Sequence, residues 1–445
     1  MSYDISYNWL KELSSLANEY SSNIIQVAGG SALSTGWNVV LDELPFIDAL
    51  CYSEGEKAML SLLDSDDILN TISCDPWVTI DKINEGYIPK PLYEDLSKVI
   101  SVDYDLVDLK SYGMKEAFSP FLINKIKKQF FIVTSRGCPY KCIFCASSSL
   151  HGGKMRLADL DSIEKHIENL QSKYGINVLT IYDDQLLINK ERAKKFFKIL
   201  VKFKLRIEMP NGLSVAFFDE ELADIMKEAG VDTIYLAVES GSERVLKDII
   251  RKPLNLNKVH PVVKMLQEKG FFVVGFFIFG LPGETEYDRF ITREFIKNVA
   301  FDWSFFNYAT PLRGSELYNI CVDNNWIDPD YNKIGSVDMT EYIINSPGIN
   351  KEELKKFIFD INLDVNFVNN AAFRRGDYQI AKQSFKEVLS RHYEQPFAHF
   401  YLSKVLNLLD PGSDQIAHHK SEFSGILRED PQWNNSAIEF NLINK

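Results

Sequence analysis

Six short apolar runs alternate with amphipathic segments between residues 130 and 310, and this alternation is the strongest constraint on the fold of the 445-residue chain. Strands that alternate with helices favour a parallel sheet with helical crossovers. Runs that are apolar throughout are typical of strands buried on both faces. The sequence therefore predicts an α/β fold with a partial parallel (β/α)6 barrel. The expected strands are 130–135, 178–184, 206–212, 233–240, 271–280 and 303–310, and the expected helices are 159–173, 190–203, 219–229, 242–250, 257–269 and 286–299.

The segments on either side of the barrel differ from it in pattern. Residues 1–70 alternate as helix, strand, helix, strand, helix, which predicts an incomplete doubly wound α/β segment. Residues 71–127 show no sustained period and contain four prolines, so a linker is expected there. Beyond residue 350 only helical periods remain. The predicted units are 1–70, the linker 71–127, the barrel 128–318, a connecting segment 319–350 and an all-helical region 351–445.

The helical region carries one repeat-like pattern. Gly376, Tyr378, Ala381 and Phe385 resemble the defining positions of a tetratricopeptide repeat, and one repeat with part of a second fits 366–428. Two interpretations of this pattern remain open. Either the helices cap the barrel, or they form a docking surface for a partner protein.

Charge and hydropathy argue against two classes of partner. The chain has 49 lysines and arginines against 62 aspartates and glutamates, a formal net charge of −13. Nucleic-acid binding depends on cationic patches, so a nucleic acid is not expected as the main partner. The longest apolar stretch, Phe271–Leu281, is shorter than the ~20 residues that span a bilayer. Because the acidic and polar start does not resemble a signal peptide, a cytoplasmic protein without a membrane span is expected.

Three of the six cysteines fall within eight positions, at Cys138, Cys142 and Cys145. Clustered cysteines in a cytosolic chain are more often metal ligands than disulfides. Their spacing is Cys-x3-Cys-x2-Cys, directly after the first barrel strand. Three thiolates on a four-iron cluster leave one iron open, and an open iron can chelate a small molecule and pass it an electron. A structural zinc site is the alternative, with His151 as the fourth ligand.

The segment TSRGCPYKCIFCASSS, which holds these cysteines, resembles the radical S-adenosylmethionine (SAM) superfamily. The motif of that superfamily is Cys-x3-Cys-x-aromatic-Cys, and Phe144 is the aromatic residue here. The resemblance extends over residues 130–318. It implies a [4Fe–4S] cluster on the three cysteines, with the amino and carboxylate groups of SAM on the open iron. It further implies reductive cleavage of SAM to a 5′-deoxyadenosyl radical, a small-molecule or natural-product substrate that loses hydrogen to this radical, and an electron donor such as flavodoxin or ferredoxin.

The strand ends that follow the cysteine motif supply candidate SAM contacts. In a parallel barrel the carboxyl ends of the strands form the active site, and in the resembling superfamily these positions surround SAM. Structural roles are the alternatives, such as a turn or a helix cap, or the pairing of a buried carboxylate with lysine or arginine. The residues that the resemblance implies around SAM are Phe144, Asp183, Asp184, Asn211, Glu239, Ser240 and Gly280.

Two further segments resemble the cobalamin-associated branch of the superfamily. VAGGSALS and DALCYSEGEKAMLSLL are similar to the last two strands of its cobalamin-binding domain, and ATPLRGSELY is similar to its barrel-closing segment. That similarity places Gly29 and Gly30 beside the edge of the cofactor. The first three strands of such a domain are absent, and no histidine precedes His151. A degenerate remnant or a truncated chain start is therefore the other interpretation.

The resemblance leaves three functions as alternatives. The first is a radical SAM enzyme that abstracts hydrogen from an unidentified substrate, with cyclisation or rearrangement among its reactions. The second is cobalamin-dependent methylation of a carbon. The third, from a different class, is a non-catalytic iron–sulfur or zinc-binding protein that acts through its C-terminal helices. The strand-end carboxylates argue against the third function, since a scaffold has no need of them.

Overall fold

The computed structural model describes residues 3–99, 102–107, 128–328 and 340–444, with only the backbone described for residues 3–6. The predicted linker after residue 107, including Pro120, lies outside the described residues, as do residues 329–339 of the predicted connecting segment. The described chain forms an N-terminal unit, a parallel barrel and a helical C-terminal region.

A small three-stranded sheet is the centre of the N-terminal unit. β1 (Val27–Ala28) pairs in parallel with β2 (Ala49–Cys51), and β2 pairs in antiparallel fashion with β3 (Trp77–Val78). Tyr7 and Val40 belong to the apolar cluster that packs on this sheet. The helices of the unit are α1 (Tyr3–Tyr20), α2 (Ser31–Thr35), α3 (Val40–Glu43), α4 (Glu56–Leu63), α5 (Ile68–Ile72), α6 (Ile80–Asn84) and α7 (Leu96–Val99), and a 3₁₀ turn spans Tyr104–Leu106.

β3 corrects the predicted boundary at residue 70. Trp77 and Val78 lie in the segment that the sequence assigns to a linker, yet they pair with Cys51 and Leu50 and are buried. A strand of two residues has no period of its own, so only its pairing with a distant strand defines it. The N-terminal sheet therefore extends into the predicted linker.

Six parallel strands form the barrel, which confirms the predicted α/β fold class. In chain order the strands of this region are β4 (Gln129–Ile132), the antiparallel hairpin strands β5 (Ser135–Arg136) and β6 (Arg156–Leu157), β7 (Val178–Ile181), β8 (Arg206–Glu208), β9 (Thr233–Glu239), β10 (Phe272–Phe279) and β11 (Trp303–Tyr308). The barrel order is β4-β7-β8 followed by β9-β10-β11, and single bridges from Ile207 to Val231 and from Leu213 to Leu236 join the halves. Among the described residues, no strand pairs with the outer edge of β4 or β11, so the barrel is partial.

Several strands end earlier than the sequence predicts. The predicted strand 206–212 ends at Glu208, because Pro210 has no N–H for a ladder and Gly212 adopts a φ of 81°. The predicted strand 178–184 ends at Ile181. These early endings free the polar residues that follow to make local hydrogen bonds.

The helices of the barrel cover the outer face of its strands. Leu179, Ile207 and Leu236 point to this face and share one apolar core with Phe196 and Leu222 of the helices. Amphipathic crossover helices bury their apolar stripe in this way. The helices are α8 (Ser147–His151), α9 (Leu160–Asn169), α10 (Lys190–Val201), α11 (Glu220–Glu228), α12 (Val259–Glu268), α13 (Glu286–Val299) and α14 (Glu316–Asp323), with π-helical turns at Leu170–Tyr174 and Val245–Ile250 and 3₁₀ turns at Val215–Phe217 and Leu256–Lys258.

The C-terminal region is helical, as predicted, and packs on the second half of the barrel. Tyr235, Val274 and Trp303 of β9, β10 and β11 share an apolar core with Phe367 and Phe385. Its helices are α15 (Lys351–Leu363), α16 (Ala371–Arg374), α17 (Tyr378–Arg391), α18 (Pro396–Leu409), α19 (Gln415–Glu429) and α20 (Pro431–Glu439), and a π-helical turn spans Asp364–Val368. None of the described helices is long and apolar enough to cross a membrane.

One asparagine covers the open edge of β11. The Asn366 side chain accepts a hydrogen bond from Ser304 N at 2.9 Å and donates one to Ser304 O at 2.8 Å. Both main-chain groups of Ser304 point away from β10, so without this side chain they would be buried and unpaired. An exposed strand edge is a template for unwanted pairing, and Asn366 removes part of it.

We predict that Asn366→Ala destabilises the protein, because it leaves the two main-chain groups of Ser304 without partners. The expected loss is about 2–4 kcal/mol in free energy of unfolding, measured as a lower urea midpoint. Asn435→Ala, at an exposed position of α20, is the matched control and is expected to cost less than about 0.5 kcal/mol. Equal midpoints for the two variants would contradict this role for Asn366.

Candidate functional site

The three cysteines lie on one loop, residues 137–146, which we call the cysteine loop. Main-chain hydrogen bonds hold it on three sides. Cys138 N donates to Gly152 O at 3.3 Å, Ile143 N donates to Ile250 O at 3.1 Å, and Leu317 N donates to Ile143 O at 2.8 Å. The loop is therefore fixed to the segments that follow β9 and β11, on the far side of the barrel.

Gly137 begins the cysteine loop in a conformation that favours glycine. Its φ is 92°, and a Cβ there would lie 2.5 Å from Lys154 O. Gly137 N donates to Asp184 Oδ2 at 3.3 Å. Asp184, at the end of β7, thus binds the first residue of the loop, and any side chain larger than hydrogen at position 137 would displace the loop.

Burial raises the pKa of all three thiols. The pKa of Cys142 rises to about 11, although the charge of Lys252 lowers it. Burial also raises the pKa of Cys138 and Cys145, with a smaller contribution to both from the charge of Asp184. Because iron binds thiolates, cluster binding must release these protons.

The donor set fits a cluster with one open iron. Three thiols lie on the cysteine loop, and the other three cysteines lie elsewhere in the sequence. Among the described residues, no three histidine, cysteine, aspartate or glutamate side chains are grouped around a centre that could hold a single metal ion. In a four-iron cluster each thiolate binds its own iron, so the three thiols need no common centre.

His151, the proposed fourth zinc ligand, contacts the N-terminal unit. Its Nδ1 atom lies 3.5 Å from Glu54 Oε1. Arg156 Nη1 donates to Glu54 Oε2 at 2.8 Å, and Arg136 Nη1 lies 3.3 Å from Glu54 Oε1. Burial alone would raise the pKa of Glu54, but bonds from His151 and Arg156 outweigh it and hold this pKa well below its usual range. The His151 ring thus lies beside a carboxylate of the N-terminal unit, and its role as a fourth zinc ligand stays an alternative.

Asp183 joins two barrel strands. It is 4 % exposed, and its carboxylate accepts hydrogen bonds from Thr134 N, Thr134 Oγ1 and Ser135 Oγ, each at 2.6 Å. Burial raises its pKa, although these bonds lower it. Of the two neighbouring aspartates, Asp184 lies at the cysteine loop, and SAM contact by either stays a prediction.

Asn211 and Ser240 also make local bonds. Asn211 Nδ2 donates to Tyr182 O at 3.0 Å, which ties the turn after β8 to the end of β7. Ser240 is 1 % exposed, and its Oγ lies 3.1 Å from Thr292 Oγ1 on α13. Both residues position the ends of strands, and their contact with SAM stays a prediction.

Glu239 forms a buried ion pair that the sequence did not locate. Lys252 Nζ donates to Glu239 Oε1 at 2.9 Å, and both side chains are largely buried. Glu239 has a φ of 72°, where the register between β9 and β10 shifts. The sequence predicted only that a buried carboxylate at Glu239 needs a cation nearby. Nothing in the sequence indicated that Lys252 would be this cation.

Two charged residues are thus brought to the cysteine loop. Ile143, next to Cys142, bonds to Ile250, two residues before Lys252, so the ion pair lies close to this thiol, and the charges of Lys252 and Glu239 both act on its pKa. Phe144 is partly buried against the barrel core. Asp184, Glu239 and the three thiols therefore share one end of the barrel, the carboxyl end of its strands.

Gly280 is closely packed. Its N–H donates to Glu284 Oε2 at 2.6 Å, and its carbonyl accepts a hydrogen bond from the Tyr342 hydroxyl at 2.8 Å. A Cβ on Gly280 would lie 2.6 Å from the Tyr342 ring and 2.7 Å from Leu354. The Tyr342 ring and Leu354 therefore leave no room for a side chain at position 280, whether or not SAM binds there. An approach of the SAM adenine to Gly280 stays a prediction.

The fold and the site together define a class: a partial parallel α/β barrel with three cysteines on one loop at the carboxyl ends of its strands. The sequence model of the radical SAM superfamily matches residues 132–296. The chain therefore carries a radical SAM domain over these residues, and the cofactors of such domains are a [4Fe–4S] cluster and SAM.

Three similar proteins extend this comparison. A cytidylyl-2-hydroxyethylphosphonate methyltransferase of Streptomyces wedmorensis is 31% identical over 59% of this chain and 50% of that protein. An uncharacterized methyltransferase of Pyrococcus horikoshii is 30% identical over 70% of this chain and 66% of its own length. The cobalamin-dependent SAM radical enzyme OxsB has a similar fold, with a TM-score of 0.62 at 13% identity over 99% of this chain and 71% of that structure. The chain thus spans about half of the first of these proteins.

Glu284 is a buried carboxyl group at the end of the Gly280 turn. It is 3 % exposed, and burial raises its pKa to about 7. Arg289 Nη1 lies 3.9 Å from Glu284 Oε2, and Oε1 has no hydrogen-bond partner in the described parts of the chain. α13 does not begin at this residue, since Thr285 is its N-cap and forms a capping box with Asp288.

We predict that Glu284 makes the protein less stable as the pH rises. Its pKa is higher in the folded than in the unfolded chain, so the folded state retains the proton, and stability falls between about pH 4.5 and pH 7 by on the order of 3 kcal/mol. Glu284→Gln should flatten the dependence of Tm on pH from 5 to 8 and raise Tm at pH 8. Glu286→Gln, at an exposed position, is the control and should keep the slope of the wild type. If the slope of Tm against pH in Glu284→Gln equals that of the wild type, Glu284 is not the source of the pH dependence.

Proposed function

We propose that this chain is an enzyme that binds one [4Fe–4S] cluster through Cys138, Cys142 and Cys145 and cleaves SAM reductively. The cysteine loop carries the proposal, because it holds three partly buried thiols at the carboxyl ends of the barrel strands and supplies no fourth. When bound, the cluster supplies an electron that breaks a carbon–sulfur bond of SAM. The cytoplasm is part of the proposal, since a reduced cluster needs a reducing compartment.

The chain's own residues would bind SAM and exclude water. The Glu239 carboxylate, held by Lys252, is the candidate acceptor for the amino or ribose hydroxyl groups of SAM. Asp184, Asn211 and the aromatic ring of Phe144 are further candidates around the cofactor. A rigid surround of this kind orients the cofactor, and orientation is the part of the reaction that the protein supplies.

The substrate is proposed to be a small organic molecule. The first relative acts, by its name, on a cytidylylated phosphonate, and another similar protein is an anaerobic magnesium-protoporphyrin IX monomethyl ester cyclase of Rubrivivax gelatinosus. A 5′-deoxyadenosyl radical formed on this chain would take a hydrogen atom from a carbon of such a substrate. Flavodoxin or ferredoxin is the proposed electron donor.

We predict that Cys142→Ala abolishes cluster binding and SAM cleavage. Anaerobically reconstituted wild-type protein should hold about four iron atoms per chain and form 5′-deoxyadenosine with SAM and reductant. Cys142→Ala should lose most of this iron and form no more 5′-deoxyadenosine than a reaction without reductant. Cys74→Ala changes an exposed cysteine outside the cysteine loop and should behave as the wild type.

The same experiment tests the non-catalytic alternatives. Wild-type protein that binds zinc and no iron would contradict the proposal. Unchanged biological function in Cys142→Ala would favour an interaction protein. The observation behind that alternative is the tetratricopeptide-like pair α17 and α18, where Ala381 and Phe385 are buried against α18 and Gly376 adopts a φ of 86°.

Cobalamin-dependent methylation is the second candidate function. One observation favours it: the carboxyl ends of β1 and β2 face the cysteine loop. α2, which follows β1, contacts α8, which follows the cysteine loop, and Glu54, which follows β2, binds Arg136 and Arg156 on either side of it. Cofactors of doubly wound domains bind at the carboxyl ends of their strands.

The residues present fit a cobalamin only in part. Gly30, with open space around its Cα, would allow close approach of a large ring. The segment before His151 contains no histidine to ligate cobalt. A cobalamin held here would therefore take no histidine ligand from the N-terminal unit.

We predict that, if this second function holds, the full chain retains cobalamin through gel filtration and shows corrin absorption bands. Gly30→Leu should reduce the bound corrin by at least about tenfold, because the side chain would occupy the space beside the β1 end. Gly86→Leu is the control, since Gly86 also has a positive φ and open surroundings but lies in an unrelated turn. Absence of corrin bands in the wild type would leave hydrogen abstraction without cobalamin as the function.

A further inference from the structure

A pocket of about 570 Å³ lies between β11, α15 and the end of α17. Its volume is in the range of sites that bind small molecules. Six aromatic side chains line it: Trp303, Phe305, Phe306, Tyr308, Phe359 and Phe367. Aromatic walls of this kind favour a flat, apolar ligand, because rings stack face to face or edge to face.

Two side-chain amides that line the pocket present hydrogen-bond donors. Asn362 Oδ1 already accepts a bond from Asn366 Nδ2 at 2.8 Å, so its NH₂ group is left to donate. Gln395 Oε1 accepts a hydrogen bond from Phe397 N at 2.9 Å, so the NH₂ group of Gln395 is also left to donate. The orientation of each amide is set by these neighbours. Acceptor atoms of a ligand could therefore bind these two NH₂ groups.

A cation lies on the α15 wall of the pocket. Lys355 is exposed and forms no ion pair with any described residue. On the opposite wall Arg391 lies 3.1 Å from Glu387, so that pair is close to neutral, and the carboxyl end of α17 adds partial negative charge. Lys355 is thus the group that would pair with an anion. In a chain with a net charge of −13, a pocket with a cation and two free donors selects oxyanions.

We propose that this pocket binds a flat aromatic molecule that carries an oxyanion, with Lys355, Asn362 and Gln395 around the anion. The pocket reaches Tyr308, at the carboxyl end of β11, whose ring lies 5.8 Å from that of Tyr342. Tyr342 in turn bonds to Gly280. The pocket therefore leads towards the end of the barrel that carries the cysteine loop. Its use as an anchor for the non-reacting part of the substrate rests on the proposed function, whereas the binding itself does not.

The test is a calorimetric titration of the full chain, with and without its reconstituted cluster. The probes are 2-naphthoate, neutral 2-naphthalenemethanol and cationic 2-naphthylmethylammonium, which share one ring system. We expect naphthoate to bind at least about tenfold more tightly than the cation, with or without the cluster. Equal affinities for the three probes, or no binding of naphthoate up to its solubility limit, would overturn the proposal.

Charge variants place the binding in this pocket. Lys355→Glu should weaken naphthoate binding at least about tenfold, because it replaces the cation with a like charge. Lys351→Glu, at another exposed lysine of α15 outside the pocket, makes the same charge change and should leave the affinity unchanged. Asn362→Asp keeps the acceptor for Asn366 and replaces the free donor, so it should also weaken binding. Equal losses in Lys355→Glu and Lys351→Glu would show only long-range electrostatics and would overturn the site.

The titration and the cluster assay fail separately. A chain that forms 5′-deoxyadenosine but does not bind naphthoate would refute the pocket and leave the proposed function standing. A chain that takes up no iron on reconstitution, yet binds naphthoate and responds to Lys355→Glu, would refute the proposed function and leave the pocket standing.

Discussion

The two main-chain hydrogen bonds of Ile143 fix the site, because the cysteine loop belongs to no strand or helix that would hold it. Its N–H binds the end of the segment that follows β9, and its carbonyl binds Leu317, which follows β11. β4 and β11 do not pair, so the barrel is open on this side. The loop therefore bridges the opening at the top of the barrel. Ligand positions must hold to within about 0.5 Å for a preorganised site, and the bridge provides that constraint from both halves of the sheet.

Because the barrel is open beside β11, the C-terminal helices cover the exposed edge and face of that strand. Asn366 satisfies the edge of β11 at Ser304, and the apolar faces of the helices cover Trp303 and its neighbours. The cover is incomplete further along the strand, where the pocket remains beside Phe305 and Tyr308. Asn366 Nδ2 also donates to Asn362 Oδ1, so the side chain that covers the strand leaves the Asn362 NH₂ group free to donate. Edge protection and the chemistry of the pocket thus depend on one side chain.

The sequence was sufficient for features with a local pattern and insufficient for features defined by distant partners. The apolar runs predicted all six barrel strands, whereas the cluster on Cys138, Cys142 and Cys145, which their spacing and the family resemblance predict, stays a prediction. β3 was not predicted, since two residues carry no period and its pairing partner lies at Leu50. Lys252 and Asn366 were not predicted for the same reason: lysine and asparagine are common on surfaces, and only the fold brings each to its buried partner.

The N-terminal unit has little internal sheet structure and is attached to the barrel through buried charges. A sheet of three very short strands is marginal alone, and α1 leaves apolar side chains exposed along one face, with Trp9 at 65 % and Tyr20 at 88 % exposure. Its firmest attachment is Glu54, which is buried and binds Arg136 and Arg156. Arg136 directly precedes Gly137, where the main chain has no room for a side chain. Glu54 of the N-terminal unit is therefore joined to the cysteine loop through Arg136, the residue before Gly137, although only the barrel supplies the thiols.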